Sequence, residues 1–272
     1  MKKYFTNFII IAWFTAFSFS CASLGINMYS DQDDVKLGLQ LDQEIRNNQK
    51  EYPILQNRPD VKNYVEQIGR KVLNSSSIEK RSVYAYKFEI IHSDSTINAF
   101  ATPGGYVYVY TGLLKFVDNE ATLAGILAHE IAHAERRHAT RRMTDYYGAS
   151  ILVSIILGEK PSQFAEIAAN LFTGLGFLAN SRSDEKEADD WSIKYLQDTE
   201  YYPGGIKYFF GTIQDKKGAK GGSLERLLST HPLPQDRMDD VNKQMQKIGN
   251  PQPTEANIFA GRYKKFKSTL PK

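Results

Sequence analysis

The sequence predicts a mainly helical α+β fold with one small sheet. Its 272 residues suffice for one large or two small domains, and 42% hydrophobic and 24% charged residues are ordinary for a globular protein. Apolar residues recur at helical spacing in several long segments. β-prone runs are few and short, and they cluster between positions 88 and 110.

Net charge and cysteine content exclude several kinds of partner and site. The formal charge of +3 is small, and no basic stripe interleaved with aromatic residues occurs, so no nucleic-acid partner is expected. Cys21 is the only cysteine. A single cysteine allows no internal disulfide and no site built from several thiolates. Any metal must therefore be held by histidine and carboxylate side chains.

Residues 1–20 have the layout of a secretory signal peptide. Two lysines precede an apolar run over 8–17, and small residues follow up to Cys21. The cysteine lies where a lipoprotein signal places its acylated residue, although Ser18 stands where a leucine-like residue is usual. We expect a mature protein that begins at acylated Cys21 and is anchored to the membrane by lipid. Cleavage nearby without acylation and an uncleaved anchor are the alternatives, and each leaves the body outside the cytoplasm.

A helical domain is expected over residues 31–250. Polar residues with interspersed aliphatic ones predict a helix over 31–50, and Pro59 opens a second helix with one apolar face. The chain from 251–272 is expected to be a weakly structured tail. Short strands are predicted over 88–92, 98–101 and 106–110.

The segment from Asn119 to about His138 is expected to be a central, mostly buried helix. Asp118 or Asn119 can cap it, and Glu120 suits its first turn. Its apolar stripe is wide, which indicates burial on most sides. His138 and the arginines around it are expected to form a solvated helix end, where positive charge is favoured.

Residues 129–133 read His-Glu-Ile-Ala-His, a pattern typical of helical zinc sites. Residues four apart share a helix face, so His129 and His133 can bind one metal ion. Glu130 points about 100° away around the axis, where it can take a proton from the water that the metal activates. Zinc lowers the pKa of such a water to about 7, so a carboxylate is a sufficient base. A surface helix that carries two histidines by chance is the alternative.

A third ligand is expected from the acidic segment 181–189. Glu185 and Asp189 are four apart on a predicted helix, so Glu185 can bind the metal while Asp189 accepts a hydrogen bond from a ligand imidazole. Spacing alone does not separate Glu185 from Glu187 as the ligand. An acidic first turn is also common in helices without any metal.

Three motifs occur in a characteristic order. They are His-Glu-Ile-Ala-His, then Ser-Arg-Ser-Asp-Glu-Lys-Glu-Ala-Asp over 181–189, and His-Pro-Leu-Pro-Gln-Asp-Arg over 231–237. Together they resemble the type I CAAX prenyl protease-like zinc metallopeptidases, which are HExxH gluzincins, and segments 64–69 and 98–105 also match. The similarity is to the soluble BepA-like and LoiP-like periplasmic and lipoprotein members. It implies a zincin-like metallopeptidase domain whose edge strand lies beside the active-site helix.

The resemblance also implies a role for individual side chains. It makes His129, His133 and Glu185 the ligands of one zinc ion per chain. Glu130 becomes the catalytic base, and Asp189 becomes the carboxylate that supports a ligand.

Two further groups of residues take their expected roles from the same resemblance. His231 matches a histidine that either assists the oxyanion or blocks the zinc, and an ordinary turn residue is the alternative. Arg237 matches an arginine that helps hold the active site together; it can also stabilise the oxyanion, and a solvated helix start is the alternative. The edge strand that pairs with an extended substrate matches a four-residue segment, for which an inner strand is the alternative. Its residues are Asn98, Ala99, Phe100 and Ala101.

The expected function is a zinc-dependent endopeptidase of the bacterial cell envelope. Its substrates would be unfolded or misassembled proteins and peptides, which it would remove in protein quality control. It would be an outer-membrane lipoprotein on the periplasmic side. A zinc-bearing chaperone or outer-membrane assembly factor with latent proteolysis is the alternative. A structural lipoprotein without metal is a third interpretation. CAAX processing fits poorly, because the compartment is wrong for prenylated substrates.

Overall fold

The computed structural model describes residues 27, 29–173, 180–216, 224–232 and 236–271. The signal peptide predicted over 1–20 and the predicted lipidation site Cys21 lie outside these described residues. Among the helices of the described part, none combines the length and the apolar character needed to cross a membrane.

The described residues form helices around one small sheet. The helices are α1 Asp31–Asn47, α2 Pro59–Leu73, α3 Thr111–Phe116, α4 Glu120–Glu135, α5 His138–Tyr147, α6 Ala149–Ile156, α7 Pro161–Thr173, α8 Arg182–Leu196, α9 Gly205–Lys216, α10 Glu225–Thr230, α11 Asp236–Lys247, α12 Glu255–Ile258 and α13 Ala260–Lys267. The strands are β1 Lys87–Ile91, β2 Ala99–Thr102 and β3 Tyr106–Tyr110. The predicted mainly helical α+β class is confirmed.

The sheet has the order β1-β3-β2, with β1 parallel and β2 antiparallel to the central β3. Side chains alternate across β3, as strand geometry requires. Val107 and Val109 enter the core that surrounds α4, whereas the three tyrosines enter a second cluster beneath α1. Those tyrosines are Tyr106, Tyr108 and Tyr110. Because both faces are covered, all five residues of β3 are buried.

Helix α4 is the centre of the larger core, and α2, α8 and α9 pack around it. Every residue from Glu120 to Glu135 is buried, so the predicted central helix is confirmed. It ends earlier than predicted, because Arg137 adopts a left-handed backbone conformation with φ of 60°. That conformation is unfavourable inside a helix and starts a new one at His138.

The expectation of a weakly structured tail is wrong for residues up to 271. α13 packs on the first turn of α4, and its Tyr263 is fully buried with its hydroxyl donating to the Leu114 carbonyl at 2.7 Å. Phe266 stacks on Tyr64 of α2 with ring centroids 3.7 Å apart. Arg262 forms an ion pair with Glu120. The helical domain therefore continues past 250, because aromatic residues of the last segment complete the core.

Candidate metal centre

The last two turns of α4 present His129, Glu130 and His133 to the interior. The helix begins at Asn119, whose Oδ1 accepts a hydrogen bond from the Thr122 N–H at 2.8 Å. The three side chains belong to residues that are only 3%, 3% and 7% exposed. Burying two imidazoles and a carboxylate is costly unless they share a partner. These positions therefore require a common ligand or a closed network of polar contacts.

Helix α8 brings Glu185 to the two histidines. Ser181 caps α8 in a reciprocal pair with Asp184, so the next residue points inward and is fully buried. Its Oε1 lies 3.3 Å from His133 Nε2, and its Oε2 lies 3.5 Å from His129 Nε2. The two Nε2 atoms are 3.0 Å apart. Two imidazole nitrogens and one carboxylate group thus converge from two helices.

These separations fit a zinc ion. Bonds of about 2.0–2.1 Å in a tetrahedral site place neighbouring ligand atoms about 3.3 Å apart. Two imidazoles and one carboxylate are also a donor set that zinc uses in catalytic sites. Burial opposes the ionisation of Glu185, but the charges of His231 and Arg237 hold its pKa well below the ordinary value. The carboxylate is therefore available as an anionic ligand.

Asp189 and Arg237 support this arrangement from behind. Asp189 Oδ1 lies 2.9 Å from His129 Nδ1, the nitrogen that faces away from the cluster. Arg237 Nη2 donates to Asp189 Oδ1 at 2.8 Å, and its Nη1 lies 2.6 Å from Glu185 Oε2. The guanidinium is 5% exposed and occupied by these two acids. Its position supports the role of holding the site together rather than a contact with an oxyanion.

Glu130 lies between the cluster and β2. Burial raises the pKa of its carboxyl group above the ordinary value, and the nearby Ala101 backbone N–H opposes that rise. A carboxyl group with a raised pKa accepts a proton more readily at neutral pH. The position of Glu130 and its raised pKa therefore both suit a group that takes a proton from water at the centre.

The predicted edge strand is an edge strand of the described sheet, since β2 pairs with β3 on one side. The Tyr110 N–H donates to the Asn98 carbonyl, so in antiparallel register Asn98 and Phe100 direct their backbone groups toward β3. Ala99 and Ala101 direct theirs away from the sheet. Of the four predicted residues, these two have the geometry for pairing with an extended peptide.

His231 approaches the same cluster from the residue that follows α10. Its Nδ1 lies 3.0 Å from Glu185 Oε1, and its Nε2 lies 3.6 Å from Glu130 Oε1. One nitrogen of its ring lies within 4.8 Å of ligand atoms of all three predicted ligands. Asn180, which the sequence analysis missed, lies 3.3 Å from His231 Nδ1 and 3.4 Å from His133 Nε2. Its position directly before Ser181, which caps the helix that carries Glu185, is the one feature of the sequence that indicates a place near the cluster.

The expectation that His138 is solvated is wrong. Its side chain is fully buried, and its Nδ1 lies 2.6 Å from His133 Nδ1. Glu187, the competing third ligand, faces His138 and two arginines instead of the cluster. Its hydrogen bond from His138 is the main cause that lowers the pKa of Glu187 to about 2. The left-handed turn at Arg137 folds His138 back beneath His133, which residue spacing on a continuous helix does not predict.

Two cavities adjoin the centre. One, of about 520 Å³ including the space open to solvent, lies along β2 and is lined by Ala101, Glu130, His133, Asn180 and His231 among others. The second, of about 350 Å³ on the same measure, lies on the other side of Glu130 and is mostly apolar. Its apolar lining comprises Ala99, Leu113, Ile126, Ile206, Phe209, Phe210 and Leu227. A cavity therefore adjoins Glu130 on each of two sides.

Curated relatives share this region of the chain. A putative beta-barrel assembly-enhancing protease of Vibrio cholerae is 33% identical over 207 residues, which cover 72% of this chain and 40% of that protein. The beta-barrel assembly-enhancing protease of Escherichia coli K12 is 30% identical over 194 residues, or 68% and 39% of the two chains. The mitochondrial metalloendopeptidase OMA1 of Schizosaccharomyces pombe is 28% identical over 182 residues, or 66% and 52%. The chain matches about two fifths of the length of these bacterial relatives.

The family model for peptidase family M48 matches residues 59–245. This stretch runs from α2 to α11 and contains the four groups of the cluster, Glu130 and Arg237. The match covers more than half of the chain, and the residues inside it converge as a metal-dependent hydrolytic centre requires. The chain belongs to peptidase family M48.

Proposed function

We propose that this protein is a zinc-dependent endopeptidase. One Zn²⁺ per chain would be held by His129 and His133 of α4 and Glu185 of α8. The convergence of these groups carries the proposal: the two Nε2 atoms lie 3.0 Å apart, and the two carboxylate oxygens of Glu185 lie 3.3 and 3.5 Å from them. Membership of peptidase family M48 supports it independently.

The residues around the centre then have separate tasks in peptide hydrolysis. Zinc, when bound, supplies a Lewis acid that polarises a carbonyl and makes water acidic near neutral pH. Ala99 and Ala101 bind an extended peptide through backbone groups that point away from β3. The Glu130 carboxylate takes a proton from the attacking water and passes it to the leaving amine. Arg237 and Asp189 keep Glu185 and His129 in place.

Replacement of the base tests the mechanism. Glu130→Gln should abolish hydrolysis of casein or a quenched peptide, because the amide cannot accept the proton. Zinc content measured by elemental analysis should remain near one per chain, because Glu130 is not a ligand. Retained hydrolysis in the variant would refute the mechanism, and a wild-type protein without zinc would refute the centre itself.

We further propose that the substrates are unfolded or misassembled proteins of the bacterial envelope. The signal-peptide layout of residues 1–20 supports export. Two of the relatives are named beta-barrel assembly-enhancing proteases, which supports a task in quality control at the outer membrane. Within the family we infer a lipoprotein of the LoiP-like type, with no role in CAAX processing.

Acylation of Cys21 would anchor the protein to the membrane on its periplasmic side. The wild-type protein should incorporate a palmitate analogue in cells, and Cys21→Ser should not. Absence of label on the wild type would remove the lipid anchor from the proposal while leaving the catalytic centre untouched.

A specific observation favours a second function, that of a zinc-bearing chaperone or assembly factor with latent proteolysis. His231 lies in the cluster as a fourth protein group, and zinc sites with four protein ligands are closed and structural. The two functions separate in a deletion strain. Glu130→Gln should fail to complement if proteolysis is the task, whereas full complementation would support the assembly function.

A further inference from the structure

His138 is a buried histidine that the catalytic scheme leaves without a task. Its Nδ1 lies 2.6 Å from His133 Nδ1, and its Nε2 lies 3.1 Å from Glu187 Oε2. We infer that His138 and Glu187 are positioning residues that hold His133 in its metal-binding tautomer and orientation. The inference rests on the proposed metal site. It gives His133 a supporting contact, as Asp189 gives one to His129.

The direction of each hydrogen bond follows from the site geometry. His133 Nε2 faces Glu185 and His129, so this nitrogen must keep its lone pair to bind a metal. A neutral imidazole then carries its proton on Nδ1. That Nδ1–H has the His138 Nδ1 at hydrogen-bond distance, and His138 must accept it. The proton of neutral His138 is therefore on Nε2, from which it donates to Glu187 Oε2.

Glu187 closes the chain of contacts at the protein surface. Its Oε1 accepts from Arg136 Nε at 2.9 Å, and its Oε2 accepts from Arg141 Nη2 at 3.0 Å. Two arginines thus hold this carboxylate in place while its side chain remains 30% exposed. A carboxylate oxygen that accepts from His138 Nε2 favours the His138 tautomer that the contact with His133 requires.

The two metal-binding histidines are therefore supported differently. His129 Nδ1 faces the Asp189 carboxylate directly at 2.9 Å. The corresponding nitrogen of His133, Nδ1, is linked to the Glu187 carboxylate through the ring of His138. A carboxylate that supports a ligand histidine fixes its orientation and raises its basicity, and losing such a partner typically costs about 10- to 100-fold in metal affinity. His133 should show this loss when His138 changes.

Two substitutions at 138 separate hydrogen bonding from packing. His138→Phe fills the space but leaves the His133 Nδ1–H without an acceptor, so zinc should bind about 10- to 100-fold more weakly in competition with a chromogenic chelator. His138→Asn offers its Oδ1 near the position of the lost Nδ1 and should recover most of that affinity. The visible absorption of bound Co²⁺ should shift in His138→Phe and return toward wild type in His138→Asn. Circular dichroism melting of the metal-free proteins checks that each variant is folded.

A double-mutant cycle tests whether Glu187 acts through His138. Glu187→Gln alone should weaken zinc binding several-fold, whereas in the His138→Phe background it should add no further loss. Asp190→Asn is the matched control, because its side chain lies on the same helix with the same 30% exposure and contacts Lys186. Additive losses in the cycle would overturn the inference.

The remaining outcomes are also decisive. If His138→Phe does not fold, the comparison of Glu187→Gln with Asp190→Asn decides, and equal zinc affinity in the two overturns the inference. Wild-type zinc affinity in folded His138→Phe overturns it while leaving the proposed peptidase intact. A wild-type protein that binds neither zinc nor Co²⁺ overturns the inference and the proposed function together.

Discussion

His231 is the residue whose position separates an open metal centre from a closed one. With Nδ1 3.0 Å from Glu185 Oε1, it is a fourth protein group in the cluster and, as a ligand, would fill the open position that a catalytic zinc needs. His231→Ala should keep its zinc and hydrolyse a quenched peptide faster, because the centre opens. If the contact of His231 with the centre stabilises the closed state by about 1.4 kcal/mol, its loss should raise the rate of hydrolysis about tenfold.

His92→Ala is the matched control for this prediction, since His92 is an exposed histidine away from the cluster. It should change neither zinc content nor rate. Slower hydrolysis in zinc-loaded His231→Ala would contradict blocking and identify His231 as a group that assists the reaction.

At the scale of residues, the sequence predicts the metal ligands better than the side chains that hold the ligands in place. His129 and His133 follow from helix periodicity, and the structure brings Glu185 rather than Glu187 to them. His138 and Asn180 escape such reasoning, because a left-handed residue precedes His138 and Asn180 lies outside the helices. Contacts that depend on one unusual backbone angle have no periodic signature.

At the scale of elements, two glycines set the distance between α4 and α9. A Cβ at Gly125 would lie 2.5 Å from the Ile206 nitrogen, and one at Gly205 would lie 2.0 Å from the Ala121 carbonyl oxygen. Both contacts are with backbone atoms, which cannot rotate away. The two helices can therefore pack this closely only where side chains are absent.

Gly125→Ala should destabilise the protein by about 1–3 kcal/mol, because α9 must move away from α4. Gly211→Ala is the matched control within α9, since a Cβ there would meet nothing within 4 Å. It should stabilise the helix by about 0.5–1 kcal/mol. Urea denaturation of both variants measures the difference, and equal stabilities would contradict close backbone packing.

The elements themselves are largely predictable, whereas their pairing is not. Alternation along residues 106–110 and the β-prone runs before it predict all three strands. The parallel pairing of β1 with β3 joins segments that are not adjacent strands in the chain. It depends on the helices that cover both faces, so it cannot be read from any local window.

At the scale of the whole molecule, α13 belongs to the same core as the metal centre. Tyr263→Ala should lower the free energy of unfolding by about 3–5 kcal/mol, because it removes a fully buried ring that contacts Tyr64 of α2 and donates to the Leu114 carbonyl of α3. Lys264→Ala, the exposed neighbour, should leave the melting temperature nearly unchanged. Equal melting temperatures for the two variants would contradict a packed α13 and support the weakly structured tail expected from the sequence.

The prediction of a weakly structured tail fails for a physical reason. The segment from 249 to 253 contains a glycine and two prolines, and its polar character is typical of a linker. The aromatic residues after it contact Tyr64, Leu114 and Tyr201, which lie far away in the chain. A local window contains the linker signal and lacks the distant partners.

The contacts of α13 with α3 and with the start of α4 join distant parts of the chain. Its hydrogen bonds to Glu120 and Leu114 join residues 142 and 149 positions apart, and Arg58 reaches Thr269 across 211. Closing such long loops costs chain entropy before any contact forms, and high contact order slows folding. During synthesis, the first turn of α4 therefore cannot make these contacts until α13 has been produced. A nascent chain halted before Tyr263 would leave that core accessible to chaperones and proteases.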